Sequence, residues 1–302
     1  MKKFLHNYEW NKKINMKKLL LLPLIYTSLA FSAKFPTPVA ATFYPIYNSG
    51  TNQYIKPTMN MPFDKVSTIF VAFAHAYPLG NGAILKLEEG QPEEPHRLKL
   101  LYKTAKAKNP EIKLLISLGW GHNDWTYIND DIENDTNYFA PSVVRLIREY
   151  KLDGFDIDDE SINGSSGYIS QLNFYKAIKK LRRALDEASL EDKKPYYLTI
   201  TPAFGQANVT KENMNYFDLI NTQNYGGSYP SDFTKLGYPA NQITQGVLSE
   251  NSCNSTLPDS SKGAGIFNWT MSSDRACDYH YTREIARDVG YAMQLPSSRR
   301  TQ

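Results

Sequence analysis

The sequence predicts an α/β protein with the (β/α)8 architecture of a TIM barrel. Short apolar runs alternate with polar or amphipathic segments, and several runs are apolar almost throughout, as parallel strands covered on both faces are. Eight such runs within roughly 250 residues match the usual size of this barrel. The runs are Val39–Tyr44, Val66–Phe73, Lys113–Leu118, Gly154–Ile157, Tyr196–Thr201, Leu219–Gln223, Gln245–Leu248 and Gly263–Phe267.

Several segments between the runs carry helical signals. The clearest helices are expected near Pro95–Ala107, Pro141–Tyr150, Ile169–Ala188 and Tyr281–Met293. In the third, apolar residues recur at spacings of three, which predicts that they form the buried face. These residues are Leu172, Tyr175, Ile178 and Leu181. The connections between the fifth and sixth runs and between the seventh and eighth have little helical signal, so we expect them to be irregular.

A doubly wound open sheet is the competing arrangement of strands and helices. Such a sheet more often carries a glycine-rich phosphate-binding loop after its first strand. Here the residues after the first run are Pro45-Ile46-Tyr47, without any glycine pattern. The closed barrel is therefore the favoured architecture.

Residues 1–32 are interpreted as an upstream extension followed by a signal peptide. Met16, Lys17 and Lys18 resemble the positive start of such a signal, the run 19–31 is mostly apolar, and cleavage is expected after Ser32. The apolar run is too short for a membrane span, and no later segment is long enough. We therefore expect residues 33–302 to form one barrel domain, secreted or periplasmic, that does not associate with a membrane.

Charge and cysteine content exclude some classes of function. Residues 1–32 hold six of the 34 basic residues and one of the 31 acidic residues, which leaves 28 and 30 and a net charge of −2 in the remainder. Nucleic acid is therefore not an expected partner. Cys253 and Cys277 are the only cysteines; they form either one disulfide or two buried thiols. Clustered histidines are lacking, so we expect no metal site and no cofactor.

The stretch 153–160, DGFDIDDE, is the strongest candidate for a functional site. Asp156, Asp158 and Glu160 lie at alternate positions, so on a strand they share one face. Phe155 and Ile157 take the opposite face, towards the helices. In a barrel the acids would therefore point inwards, with Glu160 at the C-terminal rim where barrel enzymes place their chemistry. Crowding and burial should raise at least one carboxyl pKa.

The same stretch resembles glycoside hydrolase family 18, the chitinases and endo-β-N-acetylglucosaminidases. Its acids match that family's Asp-x-x-Asp-x-Asp-x-Glu signature. Three further segments are similar to family motifs in the expected order: residues 117–120 (SLGW) at the third strand, residues 223–225 (QNY) at the sixth, and Trp269 after the eighth. The resemblance covers nearly all of residues 33–302.

The resemblance implies a retaining, substrate-assisted hydrolysis. Glu160 would be the general acid, and the substrate's 2-acetamido oxygen would be the nucleophile. Asp158 would hold the acetamido N–H, and Asp156 would help to set its charge. Tyr225 would hold the acetamido oxygen.

The resemblance and the strand ends also indicate substrate-binding residues. Trp269 would face the sugar ring, and Gln223 of the same motif as Tyr225 is expected beside substrate. Tyr44 and Trp120 lie at predicted strand ends, where aromatic rings can stack on sugars. By contrast, Asp153 and His75 are interpreted as structural residues.

The family leaves the substrate open. The first hypothesis is an endo-acting chitinase-like enzyme that binds N-acetylglucosamine polymers and acts as a monomer. The second is cleavage of the chitobiose core of N-glycans, because Asp159 and Gly226 depart from many chitinases in that direction. The third is a non-catalytic lectin, which the retention of all four acids disfavours. Only 14 residues separate Leu248 from Gly263, too few for the α+β domain that many chitinases insert there.

Overall fold

The computed structural model describes residues 34–48, 53–88, 90–161, 164–250 and 252–293. The predicted signal peptide and its cleavage position lie outside these residues. Eight parallel strands form a closed barrel, because β1 pairs with both β2 and β9. The barrel strands are β1 Val39–Pro45, β2 Thr68–Leu79, β4 Lys113–Leu118, β5 Gly154–Asp159, β6 Tyr197–Pro202, β7 Leu219–Thr222, β8 Ile243–Leu248 and β9 Gly265–Trp269. All eight predicted runs are thus confirmed as barrel strands.

One additional strand, β3 (Gly82–Lys86), lies outside the barrel. It pairs antiparallel with the last part of β2, which continues six residues beyond the predicted end at Phe73. Gly80 has a φ of 58° in the connecting turn, a conformation that glycine adopts without steric cost. The hairpin was not predicted, because the extension of β2 lacks the continuous apolar character of the buried strands.

Seven α-helices occur in the described residues. They are α1 Glu94–Lys108, α2 Asp124–Glu133, α3 Phe139–Tyr150, α4 Gln171–Asp192, α5 Pro230–Thr234, α6 Met271–Asp274 and α7 His280–Asp288. The four predicted helices correspond to α1, α3, α4 and α7. Helix α2 was missed, and α7 ends earlier than predicted, before Gly290 with its positive φ of 69°. As expected, no long helix follows β6 or β8 within the described part of the chain.

The buried face of α4 differs from the predicted one. Leu172 is 63% exposed, whereas Phe174, Ile178 and Leu181 are buried. Residues three apart on a helix differ in direction by about 60°. A series of residues at that spacing alone therefore rotates away from the buried face. The observed face mixes spacings of three and four, as helix geometry requires.

Alternating strand residues divide the apolar core into two layers. On β2, Ile69 and Val71 pack in the cluster between the sheet and the helices, while Phe70 belongs to a second cluster together with Leu115 and Phe267. Because successive strand side chains point to opposite faces, the second cluster fills the barrel interior. This alternation decides which residues can reach the C-terminal mouth.

A disulfide joins Cys253 and Cys277, with 5.4 Å between their Cα atoms. The bridge links the loop after β8 to the turn that follows α6, so both loops are held at the same rim of the barrel. Of the two interpretations left open by the sequence, the structure therefore supports the disulfide. Between β8 and β9 the described residues contain only one short 3-10 turn, Ser260–Lys262, and no inserted domain. None of the described helices is long and apolar enough to cross a membrane.

Candidate active site

The acidic stretch forms the centre of the barrel mouth. Asp156 and Asp158 lie on β5, and Glu160 follows the strand directly. Phe155 and Ile157 pack into the cluster beneath the helices. The predicted division of this strand into an acidic inner face and an apolar outer face is confirmed.

Asp156 is buried among hydroxyl groups. Ser117 and Thr199 donate hydrogen bonds to its two carboxyl oxygens at 2.7 and 2.5 Å, and Thr201 donates at 3.1 Å. Burial raises the pKa of Asp156, and these hydroxyl donors act in the opposite direction. The neighbours thus fix the orientation of this carboxyl group beneath Asp158.

Asp158 is buried one step nearer the mouth. The amide of Gln223 donates a hydrogen bond to Asp158 Oδ1 at 2.7 Å. Burial raises the pKa of Asp158 well above its usual range, and the charges of Glu160 and Asp156 raise it further. A Cβ atom at Gly119 would lie 2.9 Å from Asp158 Cβ, so the position directly after the neighbouring strand β4 needs glycine.

Tyr225 lies on a 3-10 turn directly after β7. The residue as a whole is 37% exposed at the mouth, but its hydroxyl group is shielded from solvent. This desolvation raises the pKa of the hydroxyl well above the usual range, and the charges of Asp158 and Glu160 raise it further. The hydroxyl therefore stays protonated and lies within electrostatic reach of both carboxylates. A Cβ atom at Gly246 would come within 2.8 Å of the Tyr225 ring, so this glycine leaves space for the ring.

Trp269 closes the barrel mouth at the end of β9. Its ring packs against Phe43 and Phe73, with centroid distances of 5.0 and 6.0 Å. Its indole Nε1–H donates a hydrogen bond to Glu250 Oε1 at 2.8 Å. The ring is therefore fixed at its edge as well as by packing, as a rigid apolar platform for a sugar ring would be.

Comparison with known proteins assigns the family. The sequence pattern of the family described as "Glycosyl hydrolases family 18" matches residues 43–281. This chain belongs to glycoside hydrolase family 18. It is 32% identical to Chitinase B of Serratia marcescens over 117 residues, which cover 33% of this chain and 21% of that protein. The chain thus aligns with only about a fifth of that relative's length.

Solved structures share the fold of this family 18 chain. A class V chitinase from Nicotiana tobaccum, a mutant in complex with NAG4, matches with a TM-score of 0.65 and 13% identity, over 83% of this chain and 99% of the other. The chitinase-like agglutinin from Robinia pseudoacacia matches with a TM-score of 0.62 and 15% identity, over 83% of this chain and all of the other. At these identities the likeness concerns the barrel architecture.

Tyr44 does not lie in the family 18 site, and the prediction that it stacks on substrate is wrong. Its side chain is fully buried, packs near Phe63, and donates its hydroxyl to the carbonyl of Ile55 at 2.5 Å. The reason is strand alternation: Phe43 faces the barrel interior, so Tyr44 faces the helices.

Tyr47, two residues after the end of β1, is an aromatic residue of the site that the sequence analysis missed. Its ring stacks on Phe73 with 5.9 Å between centroids and 8° between planes. Burial raises the pKa of its hydroxyl above the usual range, and the charges of Asp158 and Glu250 raise it further. The sequence offered one indication for Tyr47, its position just beyond the predicted end of the first strand.

The other predicted residues occupy different depths of the site. Gln223 is buried and donates a hydrogen bond to Asp158, so it holds that carboxyl group in place instead of lining the surface. Trp120 is 56% exposed at the rim, available to a bound chain. Further exposed aromatic residues lie on the loops after β5, β6 and β7, namely Tyr168, Phe204 and Tyr229.

Three further polar residues that the sequence analysis named have structural partners. Asp153 accepts the backbone N–H of Leu114 at 3.0 Å at the strand base, as interpreted from the sequence. His75 is buried and lies 3.2 Å from Asp124, which supports its structural interpretation. Asp159 is buried and accepts hydrogen bonds from Asn208. Within the described part of the chain no group of His, Cys, Asp and Glu side chains could hold a metal ion.

Proposed function

We propose that this family 18 protein is a secreted retaining glycosidase that hydrolyses β-1,4 bonds of N-acetylglucosamine polymers, with Glu160 as the general acid. The single observation that carries the proposal is the arrangement around Asp158. Gln223 holds this buried carboxyl group by a hydrogen bond. The charge of Glu160, at the end of β5, raises the pKa of Asp158, and the charge of Asp158 in turn raises the pKa of the Tyr225 hydroxyl. Asp158 and Tyr225 would bind the two sides of an acetamido group, its N–H and its oxygen.

The first step breaks the glycosidic bond. Glu160 donates its proton to the glycosidic oxygen while the carbonyl oxygen of the sugar's own 2-acetamido group attacks the anomeric carbon. The leaving sugar departs with the proton, and an oxazolinium ion remains. This nucleophile needs no diffusion to the reacting carbon, so its attack carries a small entropy cost.

Asp158 and Tyr225 stabilise the intermediate of this reaction. Asp158 accepts a hydrogen bond from the acetamido N–H as positive charge develops there. The protonated hydroxyl of Tyr225 donates to the acetamido oxygen and directs it towards the anomeric carbon. Water then attacks the same carbon, Glu160 removes the water's proton, and the oxazolinium ring opens. Two displacements at one carbon retain its configuration.

The shape of the rim favours a polymeric substrate. The described residues between β8 and β9 contain no inserted domain that could cover the cleft. Exposed aromatic rings follow four neighbouring strands, from Trp120 after β4 to Tyr229 after β7. Rings at such positions can stack on successive sugars. These features support internal cleavage of chitin, and the apolar segment before residue 33 supports export.

A panel of substrates tests this proposal. The purified protein is incubated with chitin oligomers and with a high-mannose glycoprotein, and the products are identified by mass spectrometry. We expect chitin oligomers to be cleaved at internal bonds. Cleavage of the glycoprotein alone would show an endo-β-N-acetylglucosaminidase instead. Binding of chitin oligomers without any product would show a lectin, the function class that the Robinia agglutinin's name represents.

A further inference from the structure

A pocket lies beside Trp269, apart from the acidic residues of β5. Its volume is about 390 Å³, within the range of roughly 300–1,000 Å³ that small-molecule sites span. Hydroxyl groups, one carboxylate and the disulfide surround it. Its lining includes Ser249, Glu250, Ser252, Ser272, Ser273 and the Cys253–Cys277 bridge.

Glu250 connects this pocket to the proposed site. Its carboxylate lines the pocket and also accepts the Nε1–H of Trp269 at 2.8 Å. Its charge acts on Tyr47 and on Tyr225, the two tyrosines that also respond to Asp158. A sugar lying on Trp269 would therefore have this carboxylate at its edge, with the pocket directly beyond.

The walls of the pocket are held in place by hydrogen bonds. Ser249 donates to the backbone carbonyls of Trp269 and Thr270 at 3.0 and 3.1 Å. The hydroxyl of Ser272 lies 2.7 Å from that of Thr270. The disulfide joins the two loops that form the walls. Pre-formed walls reduce the entropy lost on binding, so the pocket is suited to a ligand of defined shape.

The carboxylate in the lining favours a cation. Of the described residues that line the pocket, Glu250 is the one with an ionisable acidic or basic side chain. A charge-assisted hydrogen bond from an ammonium group to a carboxylate is stronger than one between neutral groups. Serine hydroxyls can at the same time bind the hydroxyl groups of a sugar.

We propose that this pocket is a further sugar subsite that binds a glucosamine unit with a free amine, next to the N-acetylglucosamine on Trp269. Glu250 is the residue that determines this preference, because its carboxylate receives the ammonium group. The proposal rests on the proposed function, since it assumes a sugar chain over Trp269. The favoured substrate would thus be partly de-N-acetylated chitin, with an acetylated sugar at the cleaved bond.

Binding to inactive protein tests this subsite. The Glu160→Gln protein is titrated by calorimetry with fully acetylated chitotetraose. It is also titrated with a series of tetramers, each of which carries one glucosamine at a different, defined position. We expect one positional isomer to bind about fivefold more tightly than the fully acetylated tetramer, the factor of a partly exposed ion pair. In the Glu160→Gln/Glu250→Gln protein this ratio should fall to about one. The amide oxygen of glutamine can still accept the Trp269 N–H, so the change removes charge and keeps the anchor.

Two controls make the result specific. Glu187, in an exposed pair with Arg183 on α4, is changed to glutamine in the same background and should leave the ratio at about fivefold. Raising the salt concentration should reduce the preference of the Glu160→Gln protein, because salt screens an exposed ion pair. Equal binding of all tetramers, or a preference that survives Glu250→Gln, would overturn the subsite. These titrations need no turnover, so failure of the proposed hydrolysis would be seen separately with the unmodified protein.

Discussion

Changing Glu160 to glutamine should lower kcat on chitin oligomers by at least ~10²-fold, the lower end of the contribution of a general acid. Glutamine keeps the size and the hydrogen-bonding ability of the side chain but has no proton to donate to the leaving oxygen. Dissociation constants for chitin oligomers should change far less than kcat. Initial rates and calorimetric titrations of the same preparation measure the two quantities.

A matched substitution separates the loss of the acid from a general effect of charge. Glu187→Gln removes the same charge from the exposed surface of α4 and should leave kcat at the level of the unmodified protein. Thermal unfolding of both variants checks that the barrel is intact. If Glu160→Gln retained most of its turnover while remaining folded, the assignment of the general acid would be wrong.

Changing Asp158 to asparagine should also lower kcat by ~10²-fold or more, by analogy with removal of one electrostatic partner of a developing charge. Asparagine can still accept the hydrogen bond from Gln223, so the local geometry should persist. What is lost is the negative charge that stabilises the oxazolinium ion. Steady-state kinetics at several pH values measure this loss.

The same variant should have an altered dependence of stability on pH. Burial and Glu160 raise the pKa of Asp158, so the folded protein holds this proton more tightly than the unfolded chain does. The resulting stabilisation is complete below the ordinary carboxyl pKa and is lost as the pH rises through the raised pKa. Asparagine has no such titration, so the variant should lose less stability than the unmodified protein as the pH rises from below the ordinary carboxyl pKa through the raised pKa of Asp158.

Thermal unfolding measures this second effect. At the alkaline end of this pH range the variant's Tm should exceed that of the unmodified protein, because only the unmodified protein has to ionise a buried carboxyl group there. Asp158 would then be a residue that reduces stability in favour of activity. A Tm that falls by the same amount at both ends of this pH range would contradict the account of a buried, repelled carboxylate.

The strands and the line of acids were accessible from sequence because each depends on a local rule. Continuous apolar runs mark strands covered on both faces, and alternation alone separates Asp156 and Asp158 from Phe155 and Ile157. The same rule explains why the prediction for Tyr44 is wrong. Neighbouring strand residues face opposite sides, and Phe43 faces the barrel interior. Counting alternation outwards from Phe43 would have excluded Tyr44.

Other parts of the site depend on contacts that the sequence does not encode locally. Glu250 and Trp269 are 19 positions apart along the chain, and only the closure of β8 onto β9 brings them together. Tyr47 lies beyond its strand, so its stacking on Phe73 depends on the path of a loop. The hairpin β2–β3 and helix α2 are likewise partly exposed elements with weak apolar periodicity.

The central claim is that the substrate supplies the nucleophile. Its most direct test compares initial hydrolysis rates of chitotetraose and cellotetraose, which share the β-1,4 linkage and differ in the 2-acetamido group. The account predicts that chitotetraose is cleaved at least ~10³-fold faster, a modest part of the advantage that an attached nucleophile can provide. Comparable rates on the two tetramers would contradict it.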